Sequence, residues 1–102
     1  ATGAGDTALI QAANGGHTET VTALLAAPGL DVNAADGDGR TTLMWAASGG
    51  HTEMVTALLA VPGLDVNATD GDSDTALALV EGQGHVEIAS LLRGTARRRR
   101  SQ

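Results

Sequence analysis

Cysteine is absent from the 102-residue chain, which excludes disulfides, thiol catalysis and cysteine-ligated metal sites. Lysine is missing as well, so arginine is the only strong base. Hydrophobic residues make up 42% of the sequence, yet there is no Phe or Tyr and only one Trp. A core drawn from that set is built of thin layers of Leu, Val and Ala, as close-packed helix pairs require, and not as one large globular centre. No apolar run approaches the roughly 18 residues that a membrane-spanning helix needs, and no secretory signal is visible. There is no glycine-rich phosphate loop and no H-E-x-x-H. His, Ser and Asp recur at a fixed spacing and do not cluster, so catalysis has no foothold. Together these absences suit an intracellular chain, cytoplasmic or nuclear. The chain begins with Ala1 and not Met, as a fragment would.

What is present is repetition. Gly5–Asp36 and Gly39–Asp70 agree at 24 of 32 aligned positions, offset by 34 residues. A degenerate third copy runs from Ser73 to Gly94 in the same register, aligning Thr7, Thr41 and Thr75, then Leu9, Leu43 and Leu77, then His17, His51 and His85. A period of this size means that each copy is one supersecondary unit whose apolar face is buried only by stacking on its neighbours. Within the second copy, Leu43, Ala46 and Ala47 recur at helical spacing until Gly49-Gly50. Val55, Leu58 and Leu59 repeat that spacing in a second helix, which Pro62-Gly63 ends. Leu64-Asp65-Val66-Asn67-Ala68 then alternates and runs into the turn Asp70-Gly71-Asp72. Each unit therefore reads as helix, tight turn, helix and hairpin-like finger.

Charge is divided along the chain. Residues 1–94 hold all 12 acids against Arg40 and Arg93, a net −10, and Arg97–Arg100 bring the total to −6. The acids gather at the finger tips, Asp36 and Asp38 in one, Asp70, Asp72 and Asp74 in the next. They read either as solvated turn residues, which tight turns select anyway, or as a docking edge for a partner with a basic patch. Nucleic acid is a poor partner, because four arginines supply a salt slope of at most about −3.6 and the acidic body repels phosphate. Residues 95–102 read as a disordered basic tail. Asp70, Asp72 and Asp74 with Glu81 also have the carboxylate spacing of a calcium loop, but Thr75 stands where that loop needs Gly, and the repeat register starts a helix there. No metal or cofactor is expected.

The residues T-x-L (Thr41, Leu43), Ala46-Ala47, G-H-x-E (Gly50, His51, Glu53), V-x-x-L-L (Val55, Leu58, Leu59) and D-V-N-A (Asp65–Ala68), repeated in the first copy, make the chain resemble the ankyrin-repeat family over residues 5 to about 94. Two departures stand out. The usual T-P-L-H is Thr-Ala-Leu-Ile, Thr-Thr-Leu-Met and Thr-Ala-Leu-Ala here, and a proline insertion lengthens the period by one residue. The resemblance implies an all-α solenoid, with repeats at about 5–38, 39–72 and 73–94 in a domain over 1–94. It also implies a non-catalytic protein-interaction module that binds through the finger tips and the exposed face of the first helices. Carried over by position, the partner-facing residues are Asp6, Asn14 and Gly15, then Gly37, Asp38, Arg40, Ser48 and Gly49, then Gly71, Asp72, Asp74, Gly82 and Gln83.

Trp45 aligns with Gln11 and Leu79 and serves either to pack between repeats or as an aromatic anchor for a partner. The histidines and Asn33 and Asn67 read as structural. In the third copy Glu81 replaces Ala13 and Ala47, and Arg93 replaces Leu25 and Leu59, as a capping unit requires. The first copy shows no such exchange, so its outer face is expected to be apolar, pointing to a missing upstream repeat or to self-association through that face. Two rivals to the interaction module remain: a repeat scaffold, fragment or engineered, with no dedicated partner, and a weak calcium-binding module.

Overall fold

Three antiparallel helix pairs stack side by side: α1 (Ala4–Asn14) with α2 (Thr18–Leu25), α3 (Thr42–Ser48) with α4 (Thr52–Leu59), and α5 (Ala76–Gln83) with α6 (Val86–Arg100). A computed structural model describes residues 4–26 and 31–100. Pro28 and Gly29, which the sequence places at the end of α2, lie outside the described residues. One row of the stack is formed by α1, α3 and α5, and the other by α2, α4 and α6. Among the described residues there are no strands. The fingers between pairs are each closed by a single antiparallel bridge, Ala35 with Thr41 and Thr69 with Thr75.

Local chemistry explains the periodic threonine. The Thr41 and Thr75 hydroxyls accept from the N–H groups of Met44 (3.3 Å) and Ala78 (3.1 Å), capping α3 and α5. The apolar positions that define the helical spacing are those that vanish from solvent: Leu9, Ala13, Val21, Leu43, Ala46, Ala47, Val55, Leu58 and Val80. Leu24, Leu25 and Leu59 pack against them at the rim.

The expected disordered tail is a correction. Residues 95–100 continue α6, and Thr95 is buried. A helix already nucleated and docked through Ile88, Ala89 and Leu92 gains one backbone bond per added residue. That continuation outweighs the like-charge repulsion of the arginine run.

Both outer faces of the stack carry exchanges. Thr42, Met54 and Leu58 are fully buried, as are Ala76, Ile88 and Leu92 one period later, whereas Ala8 and Thr20 are exposed and Leu24 is only partly buried. These positions face the preceding unit. The first copy thus does carry a polar exchange, Thr20 for Met54, which corrects the expectation of an unmodified apolar face. On the opposite face, Glu81 and Arg93 are both exposed and form an ion pair at 3.0 Å.

Candidate partner-binding surface

The first finger is organised by one carboxylate. Asp36 Oδ1 accepts from the backbone N–H groups of Asp38 (2.9 Å) and Arg40 (3.0 Å), and Oδ2 accepts from the Trp45 indole at 3.0 Å. The Asp36 N–H in turn donates to the Arg40 carbonyl at 2.9 Å, closing the loop. The Arg40 guanidinium sits 5.1 Å from the centre of the Trp45 ring. Burial alone pushes the Asp36 carboxyl up. The Arg40 N–H, the indole, the Asp38 N–H and the Arg40 charge outweigh that and hold it below its ordinary value.

The second finger repeats the design without the aromatic. Asp70, 8% exposed, accepts from the N–H groups of Asp72 (2.9 Å) and Asp74 (3.0 Å), and Leu79 stands where Trp45 stood. The fingers are joined by the Gly71 N–H donating to the Asp38 carbonyl at 2.9 Å. Gly39, at φ +80°, permits this contact, since a β-carbon there would lie 2.8 Å from the Gly71 nitrogen. The same position in the outer finger is Ser73, at φ +66°. Below the fingers, the Asn33 amide donates to the Gly63 carbonyl (2.8 Å) and its oxygen accepts from the Asp65 N–H (2.7 Å), tying successive loops together.

Between the tips lies a cleft of about 610 Å³ lined by Asp36, Gly37, Asp38, Gly39, Arg40, Asp70, Gly71 and Asp72. The structure thus brings together Gly37, Asp38, Arg40, Gly71 and Asp72 of the expected set, with partly buried Trp45 at the finger base. A second group forms at the far end of the first helices, where exposed Gln83 donates to the Ser48 hydroxyl at 2.9 Å. Asn14, Gly15, Gly49 and Gly82 are also exposed. A β-carbon on Gly15 or Gly49 would lie 2.8 or 2.6 Å from the ring of His17 or His51; the exposed His17 ring can move aside, whereas His51 is partly buried against the preceding repeat. Asp6 falls on α1, with its side chain outside the described residues.

Asp70, Asp72 and Asp74 have carboxylate oxygens within 4.8 Å of one another, but Glu81, the fourth member of the calcium pattern, is engaged by Arg93. His51 and His85 join repeats. A β-carbon on Gly16 would meet the His51 ring at 2.8 Å, one on Gly50 would meet the His85 ring at 3.2 Å, and His85 Nε2–H donates to the Ser48 carbonyl at 3.2 Å. Asp36 and Asp70, the residues that shape the fingers, count among the finger-tip acids but are absent from the partner-facing set carried over from the family. Their identity at equal repeat positions, each followed by Gly, is the signal that marks them.

Over residues 1–70 the sequence matches the family model for ankyrin repeats in three copies. The chain belongs to the ankyrin-repeat family. Its third copy, with Glu81 and Arg93, lies beyond the matched stretch, and no curated protein matches the sequence. Ankyrin repeats are in general non-enzymatic protein–protein interaction modules, and no described helix is long and apolar enough to cross a membrane.

Proposed function

We propose that this ankyrin chain is a non-catalytic intracellular module that holds a protein partner through its finger tips and the adjoining face of α1, α3 and α5. The partner segment carries a basic patch. The reading rests chiefly on the arrangement at Trp45: a large rigid side chain, fixed by the Asp36 carboxylate and the Arg40 guanidinium, stands beside a cleft rimmed by exposed Asp38 and Asp72. Side chains fixed before binding lose little entropy on complex formation, and aromatic anchors next to charged rims commonly dominate interface energy. Three units offer on the order of 800 Å² to a partner, which suits moderate affinity.

The test is a random peptide-display selection against the immobilised chain, with D38N/D72N and W45A run in parallel. The expected result is a pool enriched in Arg and Lys whose synthetic members quench Trp45 fluorescence and lose affinity for both variants. Peptides that bind both variants as well as the parent chain would place recognition elsewhere.

A further inference from the structure

Helix α6 outruns its counterparts. It has 15 residues where α2 and α4 have 8, and the excess, residues 94–100, begins where the internal units turn towards their next finger. Because α6 is antiparallel to α5, and α5 starts directly after the second finger, the excess leaves the stack at its finger end. At a rise of about 1.5 Å per residue it projects by roughly 10 Å. Its start is anchored, since Thr95 is only 6% exposed, and residues 97–100 are all arginine. Cations at a helix C-terminus are favoured by the helix dipole, so the run also suits the position it occupies.

The opposite charge lies in the cleft between the two fingers. Asp38 and Asp72 are exposed there, Asp36 and Asp70 also line it, and Arg40 is the one cation among the lining residues. At about 610 Å³ the cleft has room for more than one side chain. One copy does not bring the two elements together: the extension belongs to the third unit, beyond the second finger, and the cleft lies on that finger's other side, facing the first. A second copy has no such obstacle.

We propose that the basic end of α6 docks into the finger cleft of a second copy, so that this chain is its own basic partner; this rests on the reading of the cleft as a site for basic segments. Each copy carries a net −6, and the bodies therefore repel. Screening separates the two effects. At about 0.1 M ionic strength charges farther apart than roughly 10 Å barely interact, which mutes the bodies while contact between arginine and aspartate persists. At about 1 M the screening length is about 3 Å, and the contact weakens too.

The experiment is light scattering after size exclusion over a concentration series, at about 0.1 M and about 1 M salt, on the parent chain, on R97Q/R98Q/R99Q/R100Q and on D38N/D72N. The parent mass is expected to climb above 10.2 kDa with concentration at the lower salt and to return to it at the higher. Each variant alone is expected to stay monomeric. An equimolar mixture of the two is expected to reach the mass of a dimer and no more, since D38N/D72N still offers its α6 and the arginine variant still offers its cleft. Glutamine is a good helix former and the two aspartates are exposed, so both variants are expected to keep a native circular dichroism spectrum. A parent that stays monomeric at the lower salt overturns the proposal, as does association by either variant alone or a mixture that stays monomeric. Tetra-arginine added to the arginine variant separates this failure from that of the cleft itself. Quenching of Trp45 fluorescence beside a monomeric parent removes the self-docking and leaves the cleft a site for basic segments, whereas no quenching removes both.

Discussion

Replacing Asp36 with Ala removes three hydrogen bonds at once and is the most informative single change in the chain. The lost acceptors serve the Asp38 and Arg40 N–H groups and the Trp45 indole at 2.9 to 3.0 Å. Each such bond contributes about 0.5–1.5 kcal/mol net. Water reaches a finger loop and rehydrates part of what is freed, so the low end applies and the expected loss is about 2 kcal/mol. That is a large share of the roughly 5–15 kcal/mol available to a domain of this size. Asp70→Ala supplies the internal control. It removes the corresponding two backbone bonds with no indole, and is expected to cost about 1 kcal/mol. Asp70 is the more buried of the two, which works against this order and makes it a demanding outcome.

The assay is urea unfolding followed by circular dichroism and by Trp45 emission. Asp36→Ala is also expected to shift that emission to the red in the folded state. A loss below about 0.5 kcal/mol, or one no larger than that of Asp70→Ala, refutes the assignment of the indole bond. The same carboxyl gives a pH dependence. Its value is lowered in the folded chain, so folding favours the ionised form. The stability it adds is fully present above the unfolded value of about 3.9 and is lost as the pH falls through the lowered folded value. Asp36→Asn should flatten the acid limb of the stability curve, and an unchanged limb would contradict the geometry.

The two fingers make an exchange experiment: Ser73→Gly relieves a left-handed serine and should stabilise by about 0.5 kcal/mol, whereas Gly39→Ser puts the same side chain against the Gly71 nitrogen and should cost about 2 kcal/mol, both read by thermal melts. Asn33→Ala loses both bonds that tie successive loops and should cost about 1–2 kcal/mol, while Asn67→Ala, at an exposed position, should stay within about 0.5 kcal/mol by urea unfolding. Thr42 opens α3 with a buried hydroxyl that has no partner, and Thr41 before it is extended at ψ 169°. Thr42→Pro should therefore raise stability by about 1 kcal/mol in a calorimetric scan, since proline suits the first helical turn and carries no hydroxyl to leave unpaired.

Helix pairs, turns and fingers were legible because their causes are local and repeated. Leu43, Ala46 and Ala47 are buried for the same reason that they recur at helical spacing, and Thr41 caps three residues along its own chain. Contacts between unlike elements carry no period. Nothing in the spacing says that the Asp36 carboxylate reaches the indole nine residues on, and the finger acids read as loose turn residues until that bond is seen. The basic run misled for a different reason: charge repulsion predicts an unfolded tail, but the buried Ile88, Leu92 and Thr95 had already committed α6 to helix. Thr20 was visible in the alignment opposite Met54, yet only burial at the equivalent positions reveals that this column faces the preceding unit. Ser73 and Gly39 carry the argument furthest. Their backbones agree and their side chains differ, because the next finger lies on Gly39 and the described chain places nothing on Ser73. What a repeat position tolerates is set by its neighbour in the stack, and a single-repeat consensus cannot contain that information.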